Sequence, residues 1–79
     1  MKIQILGKGC PKCQKLEKNA RQAVEELGID AEVVKVTEMD AIMEMGVMIT
    51  PGFAINSKVK STGRVLTKDQ IVLLLNETE

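Results

Sequence analysis

The sequence contains no histidine, no tryptophan and no tyrosine, and its single aromatic residue is Phe53. Without histidine there is no imidazole base, no imidazole metal ligand and no ready charge switch around neutral pH. An excess of either charge is missing too, because 11 basic residues stand against 11 acidic ones. A nucleic-acid binder would show a basic patch, and a single-strand binder would add stacking rings, so neither class fits. No run approaches the roughly 18 apolar residues of a membrane span. The N-terminus, MKIQILGKGC, has an apolar stretch too short for a secretory signal and no small-residue cleavage site. The expectation is a cytoplasmic protein with no nucleic-acid and no membrane partner.

Size sets a further limit. The 79 residues, 44% of them hydrophobic, suffice for a single domain over residues 1–79, expected to be a monomer. A chain this short buries only about 60–65% of its unfolded surface, which argues against a deep substrate cavity. Its chemistry should lie near the surface.

What is present reads as alternating strands and helices. KIQIL (2–6) alternates and is rich in β-branched residues, which predicts a strand. From Pro11 to Leu27 the apolar residues Leu16, Ala20, Ala23, Val24 and Leu27 trace one helical face, with Glu17 and the other charged residues on the solvated side. Pro11 suits the first helical position and Gly28 supplies the stop. AEVVKV (31–36) is a second strand, with Val33 opposite Val34 and Val36. Thr37 and Asp40 have the spacing of a helix cap, and Met39, Ile42 and Met43 give that helix an apolar stripe ending at Gly46. Phe53–Ile55 and Val59–Ser61 read as strands around a turn at Asn56–Lys58. TKDQ (67–70) opens a last helix with Ile71, Val72, Leu74 and Leu75 facing the core. The order β-α-β-α-β-β-α predicts an α/β fold with a four-stranded mixed sheet flanked by helices. Pro51 interrupts the run VMITPGFAI, and a proline there requires an edge, a bulge or a cis peptide bond.

The chain holds two cysteines, both in KGCPKCQK (8–15). In a reducing compartment such a pair is more often redox-catalytic or metal-binding than structural. Cys10 falls where the loop enters the helix, at the positive end of the helix dipole and beside unpaired N–H groups that favour a thiolate. A thiol of pKa near ~8.5 is about 3% ionised at pH 7, and a drop to about 7 makes it about half ionised. Cys10 is therefore the expected nucleophile. Cys13, one turn later, is placed to displace the product from a mixed disulfide and close the Cys10–Cys13 ring. Pro11 stiffens the connection and Lys12 faces solvent.

Two thiolates are half of a zinc shell, and the chain has no third cysteine or histidine to finish it. They can bind Cu(I), so a carrier of a soft metal or metalloid, Cu(I) or As(III), remains an alternative. A redox-switched binding module is a third reading.

GCPKC after the first strand, GVMITPG (46–52), the turn at 56–58 and GRVLTKDQI (63–71) together resemble the thioredoxin superfamily. The likeness is closest to the small thioredoxin-like, or glutaredoxin-like, redox disulfide proteins of archaea and bacteria, and it covers nearly the whole chain. It implies a thioredoxin-like fold, a thiol-disulfide oxidoreductase reducing protein or small-molecule disulfides through Cys10 and Cys13, and no cofactor or metal beyond that redox-active disulfide. It also implies disulfide-containing protein substrates and a reductase that the sequence does not identify. In that family the proline at the place of Pro51 is cis and lies against the cysteines, and the residue before it, here Thr50, pairs with substrate backbone. Pro11 and Lys12 flank the same surface, and Gly63 matches a glycine that lets another backbone approach the groove. Copper chaperones of similar size end in a strand, whereas this chain ends in a helix. The chain departs from the family in two places. Gly9 stands where many members have tryptophan, and the nearest match to their buried carboxylate is Gln4. The group that takes the Cys13 proton is thus not identified by the resemblance. Met39, Met43, Met45 and Met48 are expected to pack the core, with Met48 nearest the active surface, and Phe53 is expected inside.

Overall fold

The computed structural model describes residues 1–9 and 11–77. In chain order the elements are β1 (Lys2–Leu6), α1 (Pro11–Leu27), β2 (Glu32–Val36), α2 (Met39–Glu44), β3 (Gly52–Ile55), β4 (Lys58–Thr62) and α3 (Lys68–Glu77). The strands form a four-stranded sheet in the order β2-β1-β3-β4. β1 runs parallel to β2 and antiparallel to β3, and β3 is antiparallel to β4. This is the mixed, helix-flanked sheet that the element order predicts.

Strand alternation sends neighbouring side chains to opposite faces, and the two faces are covered differently. Ile3, Ile5, Phe53 and Ile55 pack with Leu16, Ala20 and Ala23 of α1 and Ile71 and Leu75 of α3. Burying each of the larger of these side chains contributes about 1.5–3 kcal/mol. On the other face Leu6 and Ala54 meet Ile42 of α2 and Val47. That layer is close enough that a Cβ at Gly52 would sit 3.0 Å from Val47 Cγ1.

Two local devices set the ends of elements. The turn between β3 and β4 has positive φ at Asn56 and Ser57, as a tight right-twisted hairpin requires. Asn56 fixes this turn to β1: its Oδ1 accepts from the Lys2 N–H at 2.8 Å, and its own N–H donates to the Lys2 carbonyl at 2.7 Å. Before α3, the Gln70 N–H donates to Thr67 Oγ1 at 3.2 Å and the Thr67 N–H donates to Gln70 Oε1 at 3.0 Å, the reciprocal cap expected from TKDQ.

Two expectations fail on the α2 side. The cap position of α2 is Glu38, without a side-chain cap bond, so Thr37 lies one residue too early to cap that helix. The methionines do not fill the core: Met39, Met43 and Met48 are exposed, Met48 by 90%, and only Met45 packs against the cluster. α2 has six residues, fewer than two full turns, and buries Ile42 alone, so it offers little surface under which they could pack.

Candidate functional site

The site is assembled where three segments converge on Gly7. The Gly7 N–H donates to the Val36 carbonyl at 2.9 Å, carrying the β1–β2 pairing one residue past the strand. Helix α1 then brings Cys13 back over this point. A Cβ added to Gly7 would collide with Cys13 Sγ and would lie 3.7 Å from Thr50 Cβ. Only glycine leaves room there for the sulfur.

Cys13 is 4% exposed. Cys10, the expected nucleophile, lies outside the described residues. Pro11 is the first residue of α1, and both it and Lys12 are exposed on the first turn. The Gln14 side-chain amide donates to the Gly9 carbonyl at 3.0 Å, fastening the loop before the helix to its first turn.

The peptide between Thr50 and Pro51 is cis. Pro51 is buried and Thr50 is exposed. The Pro51 carbonyl accepts a hydrogen bond of 2.8 Å from the Gly63 N–H. Gly63 has φ +69°, and a side chain there would press on Ile49. Gly63 thus anchors the proline loop to the end of β4. Of the residues singled out in sequence, Cys13 and Thr50 meet around Gly7, Pro51 and Gly63 hold the loop that carries Thr50, and Pro11 and Lys12 line the exposed helix start.

Sequence reading missed two charged residues beside Cys13. A cleft of about 70 Å³ is lined by Ile5, Gly7, Gly9, Cys13, Gln14, Glu17 and Lys35. The Glu17 side chain is only 16% exposed, with Oε1 3.7 Å from Lys35 Nζ and Oε2 2.9 Å from an Arg21 guanidinium nitrogen. Glu17 is four residues after Cys13, a spacing that puts both on one helical face, and that was the available signal. Gln4 is engaged elsewhere: its Oε1 accepts from the Ser57 N–H at 2.8 Å, at the hairpin turn. Among the described residues no cluster of three or more histidine, cysteine, aspartate or glutamate side chains is arranged to hold a metal. No helix among them is long and apolar enough to cross a membrane.

Cys13 buried beneath the first turn of α1, with the Thr50–Pro51 loop at its side, suits the class of thiol-disulfide oxidoreductases. The comparisons agree. A family profile described as a thioredoxin domain matches residues 1–76. A thioredoxin of Methanothermobacter thermautotrophicus is 55% identical over 76 residues, covering 96% of this chain and 99% of that protein. A thioredoxin of Methanocaldococcus jannaschii is 46% identical over 69 residues, covering 87% of this chain and 79% of that one. The chain belongs to the thioredoxin family.

Proposed function

We propose that the chain reduces protein or small-molecule disulfides through the Cys10-Pro11-Lys12-Cys13 dithiol, with Cys10 as nucleophile and Cys13 as resolving thiol. The observation that carries this reading is the burial of Cys13 against Gly7, beneath the first turn of α1. A sulfur so enclosed is poorly placed to attack a substrate but well placed to attack a neighbour in the same turn. Thr50, exposed beside it on the cis-proline loop, offers its backbone to an extended substrate segment. Gly63 serves that surface by holding the loop. The dithiol is itself the redox group, so the cycle needs no further cofactor, and a separate reductase returns it to the reduced form. Reduction is the direction that suits a monomer working in a reducing compartment.

Turnover of an interchain protein disulfide such as that of insulin tests the assignment. Cys10→Ser should abolish turnover, and Cys13→Ser should accumulate a covalent adduct on Cys10 visible by intact mass. Turnover surviving in Cys10→Ser would overturn the assignment of the nucleophile, and stoichiometric Cu(I) or As(III) retained against a competing chelator, with no turnover, would favour the carrier instead.

A further inference from the structure

Disulfide release from a mixed disulfide demands a thiolate at Cys13, because the thiolate and not the thiol is the nucleophile. Cys13 is enclosed, so its proton needs a route out. The cleft beside it supplies one end of that route, with Cys13 in its wall and the Glu17 carboxylate also in its wall. Its volume of about 70 Å³ is several times the ~10–15 Å³ that one water requires, and it has polar partners for such a water.

Each element lining the cleft contributes differently. The end of β1 and the loop after it give Ile5, Gly7 and Gly9, none of them charged. Helix α1 gives Cys13, the neutral Gln14 and Glu17, and β2 gives Lys35. Arg21, one turn further along α1, binds Glu17 from the solvent side through two hydrogen bonds of 2.9 and 3.1 Å to Oε2. Lys35 stands nearer the other oxygen, Oε1, at 3.7 Å. Among the described residues lining the cleft Glu17 is the one carboxylate, and two cations of different elements hold it there.

We infer that Glu17 is the proton acceptor for Cys13 in the release step, with Lys35 positioning its carboxylate in the cleft. The inference rests on the dithiol reading above and assigns a role to a residue outside the cysteine pair. The step balances as follows. The Cys13 S–H bond breaks and its proton passes, through water in the cleft, to the Glu17 carboxylate. The Cys13 thiolate attacks the Cys10 sulfur, the Cys10–Cys13 bond forms and the bond from Cys10 to the substrate sulfur breaks. The substrate leaves as a thiolate, which takes a proton from solvent, and Glu17 returns its proton to solvent. Across the whole cycle the dithiol is oxidised by two electrons and the substrate disulfide is reduced by two.

Stopped-flow reaction of the reduced protein with the aromatic disulfide dithiobis-nitrobenzoate separates the steps, since one coloured thiolate is released on attack by Cys10 and a second on release by Cys13. Glu17→Gln keeps the size of the side chain and removes its ability to take a proton. The second phase should slow by about 10²-fold, the lower end of what general base catalysis contributes. In the variant it should also climb about tenfold per pH unit below the ordinary thiol pKa near ~8.5, because only spontaneous ionisation then feeds it. The first phase should stay within about twofold of the parent, since it does not use Cys13. Glu25→Gln, the same change at an exposed position of α1 outside the cleft, should leave both phases within about twofold, the scale of a surface substitution. An unchanged second phase in Glu17→Gln, or an equal slowing in Glu25→Gln, would overturn the inference and leave the dithiol reading standing. A parent protein that shows the first phase and never the second would overturn the dithiol reading itself.

Discussion

The two faces of the sheet are built on different scales. On one, α1 and α3 cover Ile3, Ile5, Phe53 and Ile55 with two helices of 17 and 10 residues. On the other, a six-residue helix contributes Ile42, and Val47 completes a small cluster with Leu6 and Ala54. The first face is a closed core, and the second leaves Met39, Met43, Met48 and Ile49 in solvent. The cysteine helix belongs to the thick face and the cis-proline loop to the thin one, so the site lies at the end of the sheet where they meet. One side of the site is therefore held by the main core, and the other by a loop whose anchors are Val47, Pro51 and the Gly63 N–H.

Substitutions graded across the two faces would break or sharpen that contrast. Phe53→Ala should have the largest effect, removing about 3–5 kcal/mol from the thick core. Small domains have only about 5–15 kcal/mol in all, so urea denaturation should show a protein close to unfolding. Ile42→Val, on the thin face, should cost about 0.5–1.5 kcal/mol. A loss in Ile42→Val as great as that in Phe53→Ala would mean that the faces are not unequal. Thr67→Ala removes the hydroxyl that caps α3 and should cost about 1 kcal/mol, read from the same denaturation midpoint. Met43→Ser, at a position 61% exposed, should change stability by less than about 0.5 kcal/mol. A larger loss there would show that the methionine packs after all.

The sequence disclosed what local chemistry determines. The alternation of KIQIL, the helical stripe from Leu16 to Leu27 and the Thr67–Gln70 cap each depend on residues a few positions apart, and each is present in the fold. Pro51 was conspicuous for the same reason, since it breaks a run of strand formers. What escaped depends on distant partners. Glu17 looked like one of many charges on a solvated face until β2 placed Lys35 opposite it. Gln4 was read by counting along β1, whereas its side chain is fixed by Ser57, 53 residues away. The methionine stripe had helical spacing, but a helix that ends after Glu44 has too little neighbouring surface to bury it. The closeness of Gly7 to Cys13 likewise arises only when α1 folds back on the end of β1.

The central claim is that Cys13, enclosed against Gly7, is the resolving and not the attacking sulfur of the proposed dithiol. Its most direct test is the alkylation of the reduced native protein by a limiting amount of iodoacetamide, with each cysteine peptide quantified by mass spectrometry over time. The account predicts that Cys10 is modified first and Cys13 at least about tenfold more slowly, following the dependence of thiol reactivity on thiolate character and exposure. Equal rates at the two cysteines, or faster labelling of Cys13, would contradict it.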